Sequence, residues 1–215
     1  MKKQLRALGD FWREEYSRWV GMTAVAFLVL VVLSYIAGRL FPEIPAAILT
    51  YFNEVVADSG IVRDDGSFSA LALFGNNLRA MVLSTLYGFI PFLYLPALSM
   101  GVNAILLGMV ASSVNGQWLL LAAGKKLGRG WMASLLAAGI LPHGIFELPA
   151  LCLSLAAGLC LCQNINRYIR KNEKGIMKPL LLNILRVTGL VVIPLLVVAA
   201  IMESYVTPAV MQLFV

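Results

Sequence analysis

A single histidine, three cysteines and a charged share of only 13% set the first limits on this 215-residue chain. One imidazole, His143, excludes a metal centre built on two histidines, including the metalloprotease helix motif, which carries a pair on one face. Cys152, Cys160 and Cys162 all fall in one apolar block. They therefore read as small buried hydrophobes rather than as a redox pair or metal ligands. Strict apolar–polar alternation is missing, which rules out a barrel. The first apolar block has no small-x-small exit site and runs on as Tyr35-Ile36-Ala37-Gly38-Arg39-Leu40, so it is a retained helix and not a cleavable signal.

What is present is apolar and gathered into blocks. Hydrophobic residues make up 60% of the chain, and charge stands well below the roughly 25% of soluble domains. Gly21 to Ile36, Met81 to Ala111 and Trp131 to Cys162 contain no Asp, Glu, Lys or Arg except Glu147. A hydrocarbon core about 30 Å thick takes roughly 20 such residues per crossing, and backbone in lipid must satisfy its own hydrogen bonds. The expected fold is an all-α polytopic transmembrane bundle of about five spanning helices, with interfacial and broken helices beside them. Residues 1–18 are expected as an amino-terminal interfacial helix, with Leu5, Leu8, Trp12 and Trp19 on its apolar side. Residues 19–215 form the membrane domain, with crossings near 19–40, 78–97, 99–123, 143–164 and 179–203. Pro142 and Gly144 should break the fourth, and Pro194 should kink the fifth.

Between the first two crossings, an external amphipathic segment at 42–70 carries Ile44, Ala47, Ile48, Tyr51, Phe52, Val55 and Val56 at helical spacing. The net charge of +6 sits at helix ends, so it orients a membrane protein and does not mark a nucleic-acid binder. Cytoplasmic placement of the basic amino terminus and of the basic 167–178 segment leaves the acidic 42–77 segment and the carboxyl terminus outside. Lys125, Lys126 and Arg129 are the misfit.

Three ionisable groups resist assignment to a loop: His143, Glu147 and Glu203. His143 and Glu147, four residues apart, share a helix face. A carboxylate among lipid tails costs at least about 3 kcal/mol, so it normally faces protein or water with a partner. The topology brings both, together with Glu203 and Asn76-Asn77, to the outer half of the bundle. Three explanations remain open. His143 and Glu147 could lock the broken helix as a hydrogen-bonded pair. His143, Glu147, Glu203 and Asn77 could instead hold a divalent metal, for which this nitrogen-and-oxygen set suits zinc, with manganese or iron also compatible. The third is a substrate or proton pathway.

Leu141-Pro142-His143-Gly144-Ile145-Phe146-Glu147-Leu148-Pro149-Ala150 resembles the signature of the stage II sporulation protein M family. So do Asn77-Leu78, Gly101-Val102-Asn103 with Gly108, and Ala199-Ala200-Ile201-Met202-Glu203-Ser204-Tyr205-Val206-Thr207-Pro208; the resemblance spans about residues 70–210. It implies a five-helix bacterial inner-membrane protein. It also implies polar family positions at Asn77, Asn103, His143, Glu147 and Glu203. The namesake serves in engulfment as a scaffold that localises two cell-wall-degrading partners. The expected function is thus a non-enzymatic scaffold of that type, positioning membrane-anchored or extracytoplasmic peptidoglycan hydrolases. A metal-dependent intramembrane hydrolase is the alternative, and a transporter, suggested by the broken helix, ranks third. Ser154/Gly158 and Ser134/Ala138 are small-xxx-small pairs that permit close helix packing, within one chain or across a homodimer.

Overall fold

The computed structural model describes residues 2–48, 50, 69–113, 129–171 and 175–212, and of residues 2–5, 113, 129–143 and 211–212 the backbone alone. Every regular element among the described residues is helical, as a lipid solvent demands of backbone that does not close into a barrel. Helix α1 (Lys2–Phe11) passes through a π turn (Trp12–Tyr16) into α2 (Ser17–Leu40). Next come α3 (Ala70–Leu86), ending in a 3-10 turn (Tyr87–Phe89), then α4 (Leu95–Ser113) and α5 (Arg129–Lys171). The last rod joins α6 (Met177–Val187), a π turn (Thr188–Val192), α7 (Ile193–Ile201), a second π turn (Met202–Val206) and α8 (Thr207–Gln212).

Four stretches among the described residues are long and apolar enough to cross a membrane: Arg6–Leu40, Leu95–Ser112, Gly144–Lys171 and Met177–Val210. The remaining expected crossing corresponds to α3, whose 17 residues span about 26 Å. The chain is an all-α polytopic bundle. The amphipathic segment at 42–70 lies outside the described residues except for 42–48, 50, 69 and 70, and Lys125, Lys126 and most of the expected 99–123 helix beyond Ser113 do so too.

Several boundaries differ from those expected, for local reasons. The helix expected at 78–97 begins at Ala70, because Ser69 caps it: its side chain accepts a hydrogen bond from the Ala72 amide at 3.3 Å. It ends at Leu86, and the chain turns through residues 87–94, where Tyr94 adopts φ 45°. The boundary expected at residue 18 is absent, since α1 runs through a π turn into α2. The break expected at Pro142 and Gly144 is absent as well, and α5 continues through both. Proline inside a membrane helix is tolerated where neighbouring turns or helices re-satisfy the freed carbonyl. An unbroken α5 removes the feature that pointed toward transport.

The proline effect shows in the last rod instead. Pro194 and Pro208 each stand two residues after a π turn. Each lacks the N–H that would bond the carbonyl four residues back, at Leu190 and Ser204, and the wider turn accommodates that missing bond.

Helix α5 is the axis of the bundle. It packs against α2, α3, α4, α6, α7 and α8, and Ala150, Leu155, Ala156, Cys160, Leu161 and Cys162 on it are fully buried. By contrast Val25, Leu28, Val29, Val32 and Leu33 of α2 are exposed, a face suited to lipid. Two seams set the register. Along α2 and α4, which run parallel, Ser34 Oγ donates to the Ala104 carbonyl at 3.3 Å, and a Cβ on Gly108 would lie 2.4 Å from the Val31 carbonyl oxygen. Along α3 and α5, also parallel, Thr85 Oγ1 donates to the Ser154 carbonyl at 3.2 Å and Gly88 rests on Gly158. The Ser154/Gly158 pair is thus occupied by α3 of the same chain. The Ser134/Ala138 side chains lie outside the described residues.

Candidate functional site

The seams give the bundle two ends that can be compared directly. At the Tyr16 end, α1 folds against α6, and the π turn that follows it packs on α5. Tyr16, fully buried, donates its hydroxyl to the Leu153 carbonyl at 2.5 Å. Asn164, also buried, donates to Glu15 Oε1 at 2.8 Å and to the Cys160 carbonyl at 2.9 Å, while its own oxygen accepts from Arg167 at 3.4 Å. Asn166 donates to the Pro91 carbonyl and to the Tyr94 hydroxyl, which draws the α3–α4 turn to the same end. Asn166 Oδ1 has no partner among the described residues.

The opposite end holds the sequence-predicted site residues. Glu147 lies on α5 and is half-buried; Glu203 lies in the π turn Met202–Val206 and is half-buried too. Helix α5 packs on that turn and on α7 and α8. The two carboxylates come from different helices, α5 and the last rod, which pack against each other at this end. Two anions facing across an apolar contact repel strongly unless a cation or a proton stands between them.

Register places the other candidates. The Thr85–Ser154 and Gly88–Gly158 contacts, carried along the parallel α3 and α5, set Asn77 opposite Glu147 about two turns on and Leu73 opposite His143 about three turns on. Leu73 is buried against Ala200, so Ala200 shares the level of His143, and Glu203 stands three residues beyond it. His143, Glu147, Glu203 and Asn77 therefore occupy neighbouring levels within about 10 Å along the bundle axis. Asn77 is half-buried, and no hydrogen bond among the described residues ties it to either carboxylate. The His143 side chain lies outside the described residues, and among those described no three His, Cys, Asp or Glu side chains group as metal ligands.

A metal set needs donors that converge and anions that need neutralising. Glu147 and Glu203 supply carboxyl oxygens, and the backbone position of His143, one turn from Glu147 and level with Ala200, is compatible with the first condition. Asn103, the other family polar position, stands apart on α4, where its amide donates to the Ser99 carbonyl of its own helix at 2.8 Å.

Sequence reasoning missed Ser204. Its Oγ is buried without a hydrogen-bond partner among the described residues, next to Glu203 in the π turn. Pro208, four residues on, was the available signal, because it frees the Ser204 carbonyl and so marks where the helix widens. Tyr16 and Asn164 were missed as well; their partners stand 137 and 149 residues away, and nothing local announces them.

No solved structure matches the chain. An uncharacterized protein of Methanocaldococcus jannaschii is 29% identical over 182 residues, covering 84% of this chain and 93% of that protein. The profile described as Stage II sporulation protein M matches residues 22–208, a range that takes in Asn77, the Pro142-His143-Gly144 motif, Glu147 and the π turn bearing Glu203. The chain belongs to the stage II sporulation protein M family.

Proposed function

We propose that the protein is a non-enzymatic scaffold of the bacterial inner membrane whose Glu203 end is held by a divalent cation, most suitably zinc, bound by His143, Glu147 and Glu203 with Asn77 as a ligand or a hydrogen-bonding neighbour. The observation that supports this reading is the packing of α5 against the turn and helices that bear Glu203, which sets four polar side chains at neighbouring levels of one end. A bound cation would supply charge neutralisation there and tie α5 to the last rod. The side chains' part is to hold negative charge in a place that only a cation or proton can balance, so binding contributes directly to the fold's stability.

Orientation follows from the other end. Arg6, Arg13 and Arg18 on the first helix and Arg167, Arg170, Lys171 and Lys178 around the α5–α6 junction collect at the Tyr16 end. The positive-inside tendency makes that end cytoplasmic, which puts the site and the carboxyl terminus outside. An external site fits extracytoplasmic peptidoglycan hydrolases as partners to be positioned, in engulfment or in other wall remodelling.

Elemental analysis of detergent-purified protein, prepared without chelators, tests the reading. One equivalent of metal is expected in the wild type, with loss in His143→Ala and Glu203→Gln. A wild type without stoichiometric metal would remove the cation from the proposal. A hydrolase would instead show turnover that disappears in Glu147→Gln.

A further inference from the structure

The Ser69 cap has an effect further along α3. Because the helix begins at Ala70, Arg79 is its tenth residue of 17 and not, as the expected start at 78 would have it, a residue of the helix mouth. The helix spans about 26 Å, less than the hydrocarbon core of roughly 30 Å, and Arg79 lies about 13 Å from its start and about 10 Å from Leu86. Its side chain is exposed, and no hydrogen bond or ion pair ties it to another described residue. Arginine at such depth is costly and is normally met by a partner.

The surface around it suits a second helix. Leu73, Met81 and Ser84 turn one side of α3 into the bundle, which there is formed by α5 and α7. On the other side Gly75, Arg79, Val82 and Leu86 recur at intervals of four, three and four, and all are exposed. That is the spacing of a seam between two helices crossing at about 20°. A Cβ on Gly75 would meet nothing within 4 Å, so a second backbone can come close one turn before the guanidinium. Asn76, exposed on the same side, adds an amide that can donate and accept.

Charge narrows the occupant. The face presents one cation among apolar side chains, so what covers it must bring an anion to the same depth. Among the described residues every exposed carboxylate lies at one end of the bundle or the other: Asp10 and Glu14 at the Tyr16 end, and Glu43 past the close of α2. A second copy meeting the first face to face would set Arg79 against Arg79. Lipid phosphates lie beyond the ends of α3, whereas a carboxylate on a membrane-spanning helix can stand level with its middle.

We propose that the exposed face of α3 docks one membrane-spanning helix of a partner protein that carries a carboxylate level with Arg79. The guanidinium holds the carboxylate, Asn76 adds a hydrogen bond, and the gap at Gly75 admits the partner's backbone. That a natural partner exists rests on the scaffold reading; the face itself shares no side chain with the proposed cation site.

Förster transfer between the labelled full-length protein and a labelled synthetic peptide in phosphatidylcholine vesicles tests it. The peptide is a spanning leucine–alanine helix with glutamate at the depth of Arg79, and glutamine and lysine versions stand beside it. Arg79 and Gly75 are exposed, so their variants are expected to fold, and a melting curve verifies that each does. The wild type should hold the glutamate peptide about fivefold more tightly than the glutamine peptide, the scale of a polar contact between membrane helices. Arg79→Leu should bring that ratio to about one, Arg79→Glu should prefer the lysine peptide, and Gly75→Leu should weaken binding of the glutamate peptide. No glutamate preference in the wild type, a preference that survives Arg79→Leu, or binding indifferent to Gly75→Leu would overturn the proposal. Loss of the preference when phosphatidylglycerol replaces phosphatidylcholine would assign the guanidinium to lipid phosphate and overturn it too. Elemental analysis and turnover read the scaffold and its cation independently of the peptide, so either can fail alone.

Discussion

The two ends of this bundle differ in which polar groups they bury. At the Tyr16 end Tyr16 and Asn164 have their hydrogen bonds satisfied by α5 and by Glu15 of the π turn, while Asn166 Oδ1 and, two turns along α2, Thr23 Oγ1 are buried with no described partner. At the Glu203 end Glu147 and Glu203 are half-buried on helices that pack together, and Ser204 Oγ is buried with no described partner. Satisfied polarity adds specificity to packing; a buried group left without a partner costs stability unless water or a ligand completes it. The first end is tied by its own hydrogen bonds, and the second carries the half-buried carboxylates.

Substitutions can break or sharpen that contrast. The largest effect is expected between the two ends, at Gly158→Leu. A Cβ there would lie 2.5 Å from the Ser84 carbonyl oxygen and 2.9 Å from Pro96 Cγ, so α3 must move away. Overpacking costs of about 3 kcal/mol or more should appear as loss of folded protein in detergent. Asn164→Ala comes next. It removes three hydrogen bonds and leaves Glu15 without its amide partner, for a cost of about 2 kcal/mol in thermal unfolding. Tyr16→Phe removes one bond and keeps the ring that stacks on Phe11 at 5.1 Å between centroids, so about 1 kcal/mol is expected.

At the Glu203 end the sign reverses. In chelator-treated protein, Glu203→Gln relieves repulsion with Glu147 and should leave the melting temperature unchanged or higher. A loss of more than about 1 kcal/mol would mean that the carboxylate is a paired structural group, and the contrast between the ends would fail. The smallest global effect belongs to Pro208→Ala. The restored N–H allows a regular turn at 202–206, and a weakened cation response with little change in metal-free stability would show that the π turn aims Glu203.

Much of the fold was legible because lipid is a stringent solvent. Blocks without charge longer than a bilayer crossing can only be helices, and the basic segments at residues 1–18 and 167–178 correctly pointed to one end of the bundle. Glu147 and Glu203 were legible for the same reason, since charge in such blocks is costly enough to need a cause. The start of α3 was not, because a single Ser69 hydroxyl decides it and serines are common. Continuity of α5 through Pro142 was not, because whether a freed carbonyl is re-satisfied depends on neighbouring helices absent from a linear reading. The Tyr16 and Asn164 contacts depend on chain ends meeting, which no local pattern encodes.

The π turn at Thr188–Val192 has a consequence for residue counting. A wide turn absorbs one surplus residue, and each residue in an α-helix advances the azimuth by about 100°. The direction in which Glu203 points is therefore fixed by arithmetic as much as by its own chemistry. Deleting one residue within 188–192 should let the rod wind regularly and leave the downstream face where it was. The same deletion within α7 would swing the carboxylate out toward the acyl chains, with every side chain of the site still present.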